Sequence, residues 1–161
     1  MAVHIARTPE DTRRCFPVMR QLRPHLDLTE FLERVELQRR EGYALAYVEE
    51  GGEVVACAGY RTGHTLYSGH YLYVDDLVTD HRLRSQGHGQ NLLAWLEAEA
   101  RRLGCDTLCL DSGLWRTRTH AFYRRHGMKE NSFHFVHDLS GFGARFKDAL
   151  VATGQLQANK A

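Results

Sequence analysis

Apolar positions along the chain follow two rhythms, and the switches between them mark out the expected elements. Tyr71-Leu72-Tyr73-Val74-Asp75-Asp76-Leu77-Val78-Thr79 is aromatic and β-branched, which predicts a strand. From Gln90 to Leu103 the apolar residues Leu92, Leu93, Leu96, Ala100 and Leu103 return on one helical face, and Gly104 closes the helix. Thr107-Leu108-Cys109-Leu110-Asp111 is a nearly unbroken apolar run, as buried parallel strands are. Ahead of these, His4-Ile5-Ala6-Arg7 reads as a short strand. Thr8 caps a helix with Pro9 at its first position, which runs to Leu22 and stops before Pro24. Thr29 is expected to cap a second helix carrying Leu32 and Val35, up to Gly42. Tyr43–Val48 and Val54–Tyr60 read as strands joined by the tight turn Glu50-Gly51-Gly52-Glu53, with Thr62-Gly63-His64 as a loop. A last main helix, capped by Thr117 or Thr119, ends at Gly127, and Phe133–Leu139 is expected as a final strand.

The resulting order is β-α-α-β-β-β-α-β-α-β. It predicts an α/β fold of the α+β type, with a mixed, mostly antiparallel sheet and helices on both faces. The 161 residues hold no repeat, linker or low-complexity segment, so one domain over 1–161 is expected, its tail 140–161 adding a short helix over Gly143–Thr153.

Between the Tyr71 strand and the long helix lies Arg84-Ser85-Gln86-Gly87-His88-Gly89. A glycine-containing loop that opens into a helix aims backbone N–H groups and the helix dipole in one direction, which suits phosphate. A dinucleotide fingerprint needs a third glycine at position 92, which is Leu92. A P-loop needs Gly-Lys-Ser/Thr, and the chain has Gly89-Gln90-Asn91. A plain strand-to-helix turn would also use glycine for its dihedrals.

Arg84, Gly87 and Gly89 fit a third pattern, Gln/Arg-x-x-Gly-x-Gly/Ala, and with Asp76-Leu77-Val78-Thr79-Asp80 before them they resemble the acetyl-CoA motif of the GNAT superfamily of N-acetyltransferases. Ala121-Phe122-Tyr123-Arg124-Arg125-His126-Gly127-Met128 is similar to its Phe-Tyr-x-x-x-Gly-Phe segment, and Ser132-Phe133-His134-Phe135 to the ending of small bacterial members. Residues 1–139 follow the superfamily's element order. Two positions depart: Arg116 stands where many members carry Asn, and Met128 where many carry Phe.

The resemblance implies transfer of an acetyl group from acetyl-CoA (coenzyme A) to a primary amine of a small molecule or peptide, by direct attack on the thioester. It implies that backbone N–H groups of Leu77, Val78 and Thr79 face the thioester carbonyl. It places Arg84, Ser85, Gln86, Gly87, His88 and Gly89 on the pyrophosphate, with Arg116 and Tyr123 as further cofactor contacts. Tyr123 is then the general acid, or else a packing tyrosine. Asp76 is the candidate base or amine-binding group, since by period two it shares a face with Leu72, Val74 and Val78, and a carboxylate in an apolar row has its pKa raised. A β-bulge would turn Asp75 inward instead, and Asp76 could equally pair with an arginine. Histone-type members carry a glutamate earlier in this strand, where this chain has Tyr73. A non-catalytic acyl-CoA-binding domain on the same fold, or an enzyme holding another nucleotide, stays open.

Composition narrows the rest. The formal net charge of +1 gives no basic field for nucleic acid. Arginine far outnumbers lysine; its planar fork suits the phosphates of a coenzyme, although codon choice in a GC-rich genome is the favoured reading of the bias. Cys15, Cys57, Cys105 and Cys109 form no C-x-x-C pair and read as reduced cysteines of a cytoplasmic protein, with no signal peptide expected and no apolar run of membrane-spanning length. His134 and His137 are a weak metal pattern, and no metal is expected. Glu30, Glu33 and Glu36 read as the wet face of the second helix. Dimerisation is expected by resemblance.

Overall fold

The computed structural model describes residues 2–157. They form two compact units, residues 2–110 and 111–157 as divided by their internal packing. The first holds a five-stranded sheet in the order β1-β2-β3-β4-β5, with β1 (Val3–Ile5), β2 (Ala44–Glu50), β3 (Glu53–Thr65), β4 (Gly69–Thr79) and β5 (Thr107–Leu110). All neighbours are antiparallel except β4 and β5, which run parallel. The mixed, mostly antiparallel fold class stands.

Helices α1 (Pro9–Leu22) and α2 (Leu28–Arg40) cover one face of this sheet and α3 (His88–Arg102) the other. On the first face Cys15, Val18 and Met19 of α1 and Phe31 and Val35 of α2 close over Leu45, Cys57 and Val78. On the second, Leu92, Leu96 and Ala100 of α3 pack on Ala58, Tyr60, Leu72 and Val74. Because both faces are covered, β3 is buried without a break from Val54 to Tyr60.

Local chemistry sets the helix starts. Thr8 and Asp11 form a reciprocal capping box on α1, with Pro9 in the first turn. The second helix begins earlier than expected. Asp27, not Thr29, is its cap, because Asp27 has Glu30 three residues on: the Glu30 N–H donates to Asp27 Oδ1 at 2.8 Å and the Asp27 N–H to Glu30 Oε2 at 3.2 Å. Glu30 therefore belongs to the cap, while Glu36 pairs with Arg39 and Arg40. Strand β3 continues through Thr62-Gly63-His64 to Thr65, so the expected loop is strand and pairs with His70–Leu72.

The second unit contains α4 (Thr117–Arg125) and α5 (Phe142–Ala152). Arg116 is the N-cap of α4, in place of Thr117 or Thr119, and its side chain makes no capping bond. The tail helix forms as expected, one residue earlier. The final strand over Phe133–Leu139 does not form: the segment carries no regular structure. Alternating side chains alone do not make a strand, which needs a paired backbone ladder.

Candidate functional site

The ladder between β3 and β4 breaks at one place. Gly59 lies opposite Asp76 and Tyr60 opposite Val74, so Asp75 has no partner residue and forms a β-bulge. The extra residue flips the side-chain alternation beyond it. Leu72 and Val74 pack toward α3, whereas Val78 packs toward α1 and α2. The expectation that Asp76 shares one face with Leu72, Val74 and Val78 is therefore corrected. Asp76 lies on the α1/α2 side with Val78.

Asp76 is fully engaged there. Arg23 Nε, just past the end of α1, donates to its Oδ1 at 2.8 Å, and the Tyr43 hydroxyl donates to its Oδ2 at 2.9 Å. Arg23 Nη2 also donates to the Asp75 carbonyl at 2.8 Å, which ties α1 to the bulge. Burial, then the Asp76 charge and hydrogen bond, hold the Tyr43 phenol well above its ordinary pKa, so it stays a donor.

Asp75 is differently placed. Its Oδ1 accepts from Arg61 Nη2, while its Oδ2 is buried without a hydrogen-bond partner. Burial raises the Asp75 pKa and the Arg61 charge only partly opposes this. The Arg61 guanidinium sits 6.0 Å from the Tyr73 ring centroid.

The bulge is also where β4 leaves β5. Their parallel pairing covers Tyr71–Val74 against Thr107–Leu110 and goes no further. Leu77, Val78 and Thr79 pair with Ala58, Cys57 and Ala56 of β3, and among the described residues no strand pairs with their other edge. The chain then turns sharply. Asp80, buried, accepts from the backbone N–H and the guanidinium of Arg82, which drives its pKa well below the usual carboxylate range. Sequence reasoning passed over this pair, although an aspartate two residues before its donor is the signal of an Asx-type turn.

After that turn Arg84, Ser85, Gln86 and Gly87 are exposed. Ser85 has φ 66° and Gly87, the N-cap of α3, has φ 90°. No side chain caps this helix. A Cβ at Gly87 would meet no atom within 4 Å, so the space in front of the first turn is open. The His88 imidazole is 2% exposed and turned into the protein, with Nε2 3.8 Å from Glu50 Oε2, so this residue offers its backbone rather than its ring. An uncapped helix start behind a left-handed glycine fits an anionic diphosphate.

Tyr123 and Arg116 belong to the second unit. The Tyr123 phenol is largely buried, and burial pushes its pKa up to about 12 against a small opposing effect of Arg116. Phe122 packs against its ring at 5.4 Å. Arg116 stacks its guanidinium 5.9 Å from the Trp115 ring centroid.

Residues 5–128 match the model of the acetyltransferase (GNAT) family. The chain belongs to the GNAT family. It is 34% identical over 115 residues to the uncharacterized N-acetyltransferase YhdJ of Bacillus subtilis, covering 71% of this chain and 81% of that protein. It is 34% identical over 89 residues to an aminoalkylphosphonate N-acetyltransferase of Salmonella typhimurium, covering 55% of this chain and 58% of that protein. The glucosamine-6-phosphate N-acetyltransferase structure from Arabidopsis thaliana shares the fold, with a TM-score of 0.69 at 22% identity over 87% of this chain and all of that one. As a GNAT acetyltransferase the protein transfers an acetyl group from acetyl-CoA to an amine. No helix of the described residues is long and apolar enough to cross a membrane.

Proposed function

We propose that this acetyltransferase acts on a primary amine of a small molecule or peptide, with Asp75 rather than Asp76 binding the amine and taking its proton. One observation carries the choice: both carboxylate oxygens of Asp76 are satisfied by Arg23 and Tyr43, while Asp75 keeps one oxygen without a partner. Asp76 then acts as the strut that holds the bulge. Acetyl-CoA, when bound, supplies the acetyl group as an activated thioester. Backbone N–H groups of Leu77, Val78 and Thr79, on the β4 edge that β5 leaves unpaired, are the proposed donors to the carbonyl oxygen, a preorganised stabilisation that needs no side chain. The loop Arg84–Gly89 is the proposed diphosphate grip, fixing the thioester against that edge. Tyr123 Oη is proposed to hold the proton given to the departing sulfur, its burial keeping it protonated at neutral pH. Arg116 is proposed as a further coenzyme contact.

The family match runs from residue 5 to residue 128, across the boundary between the two units, and this supports a single acetyltransferase domain. A small-molecule acceptor is supported by the relative that acts on aminoalkylphosphonates. A cytoplasmic bacterial setting is supported by four unbonded cysteines and the B. subtilis relative, and the balanced charge gives no support to a nucleic-acid partner. A homodimer is supported by the bare apolar side chains of Phe133, Phe135, Val136 and Leu139.

The test measures thiol release from acetyl-CoA over an amine panel with the parent, Asp75→Asn and Asp76→Asn. Asp75→Asn is expected to lower kcat by about 10²–10⁴ with the fold intact. An Asp75→Asn enzyme with parental kcat would end the assignment.

A further inference from the structure

The Asp75–Arg61 pair is the only acid–base pair of the bulge region, among the described residues, in which both partners keep unused hydrogen-bonding atoms. Arg61 Nη2 is engaged by Asp75 Oδ1, but its Nε and Nη1 have no recorded acceptor, and the side chain is 39% exposed. Asp75 is 13% exposed, with Oδ2 beneath the surface and unpaired. In the neighbouring cluster both carboxylate oxygens of Asp76 are taken, by Arg23 and Tyr43.

Charge decides what such a pair can accept. Two carboxylates, Asp75 and Asp76, stand with two guanidiniums, Arg23 and Arg61, so the cluster is neutral as it is. The facing phenols, Tyr43 and Tyr73, add no charge. A simple alkylammonium reaching Asp75 must push Arg61 aside, because Oδ2 is not open to solvent. It then leaves a guanidinium without its anion and the cluster one positive charge in excess beside the largely buried carboxylates, which costs free energy. An acceptor that carries its own acid group removes both costs. Its ammonium replaces the guanidinium on Asp75, and its carboxylate or phosphonate takes the planar fork of Arg61.

Resting on the proposed role of Asp75, we infer that the acceptor is a zwitterion: a primary amine with a carboxylate or phosphonate a few bonds away, exchanging partners with Arg61 and Asp75 as it binds. The separation must be short. Arg61 and Asp75 touch, so about one to three carbons between amine and acid match the span. Arg61 is a specificity-determining residue here, and the reacting atoms are not its concern.

The experiment compares glycine, β-alanine and aminomethylphosphonate with the matched glycinamide and ethylamine, in the parent, Arg61→Gln and Arg61→Lys. Two readouts run together on the full chain with coenzyme A present: amine binding by calorimetry, and kcat and KM from thiol release with acetyl-CoA. The parent should bind the acid-bearing amines at least about tenfold better than their neutral partners, because a site built around an ionic pair rejects a ligand that leaves it unpaired. Arg61→Gln should collapse that ratio through KM, with Arg61→Lys restoring part of it as a point charge without the fork. Equal binding of glycine and glycinamide by the parent, or an undiminished ratio in a folded Arg61→Gln, would overturn the inference. Parental kcat in Asp75→Asn would instead sink the Asp75 base role, while the binding ratio would still judge the zwitterion. Thermal melts report whether each variant is folded.

Discussion

The Tyr43 hydroxyl reaches Asp76 by lying across the bare backbone of Gly59. A Cβ at position 59 would collide with the Tyr43 hydroxyl and the ring carbon that bears it, and the hydrogen bond to Asp76 Oδ2 spans 2.9 Å. Gly59 is the residue opposite Asp76 in the ladder, at the step where the bulge begins. Three features therefore depend on one missing side chain: the tyrosine's path, the saturation of Asp76, and the register that leaves Asp75 unpaired. Gly59→Ala should cost about 1–3 kcal/mol by overpacking. Tyr43→Phe should cost about 1–3 kcal/mol by orphaning a buried carboxylate oxygen. Urea melts of each variant and of the double variant check this. Because the two changes act on the same contact, the double variant should lose clearly less than their sum.

Gly87 makes the opposite case. A Cβ there meets nothing, but φ 90° is a conformation that L side chains avoid. Gly87→Ala should strain the loop by about 1–2 kcal/mol. If the loop escapes by leaving this conformation, coenzyme A binding weakens by about tenfold in calorimetry. A variant that binds coenzyme A as the parent does would remove this loop from the proposed diphosphate grip.

The Asp80–Arg82 pair sets the turn into that loop, and its pH dependence has a definite sign. The folded pKa of Asp80 is depressed, chiefly by the Arg82 hydrogen bond, so its contribution to stability is present above the ordinary aspartate pKa of about 3.9. That contribution is lost as pH falls from there through the folded value. Asp80→Asn should lower stability at pH 7 by about 1–2 kcal/mol and flatten the acid loss. The Arg82 side chain is exposed, so added salt should shrink the difference. Urea melts between pH 3 and pH 7, at two salt concentrations, measure both effects.

Much of this arrangement was legible in the residues themselves. Thr8 with Pro9 and Asp11 marks α1, and the strand–glycine loop–helix order around Arg84 marks the loop proposed to grip the coenzyme. The misses have physical causes. Thr29 competed with Asp27 as a cap, and the glutamate three residues after Asp27 was the deciding signal. Gly63 looked like a strand breaker, yet it lies within β3 where the Tyr71 phenol covers it and a Cβ would not fit. The bulge was foreseen only as an alternative, since its position depends on Gly59 and Tyr43, which lie on other strands or beside them. Asp76 carries the carboxylate a base needs, and its pairing with Arg23 and Tyr43 depends on residues distant in sequence.

Phe133, at 82% exposure, and Phe135, at 89%, stand bare in a segment whose alternation suits a strand. Residues of this size left in water favour association, and a second copy of the chain is the proposed partner. Phe133→Ser with Phe135→Ser should convert a dimer into a monomer in sedimentation velocity, without lowering the melting temperature of the protomer. A parent that sediments as a monomer at micromolar concentration would end the dimer proposal.

Asp75 and Asp76 should respond to the same substitution in opposite ways. Burial raises the folded pKa of Asp75 despite Arg61, so the fold disfavours its charged form. The associated stability is present below the ordinary aspartate pKa and is lost as pH rises through the folded value. Asp75→Asn removes a charge that the fold bears at a cost but also takes the anion from Arg61, so the melting temperature at pH 7 should hold, while kcat falls. Asp76→Asn puts an amide where Arg23 and Tyr43 both donate, and the melting temperature should drop, by about 2–4 °C per kcal/mol for a single domain of this length. The acid limb of the kcat/KM profile should lie above the ordinary carboxylate range, because the base must first lose its proton. That limb should persist in Asp76→Asn and be absent from the residual activity of Asp75→Asn. A profile whose limb disappears with Asp76 instead would transfer the proton-accepting role to the strut, and the bulge would then serve only to orient it.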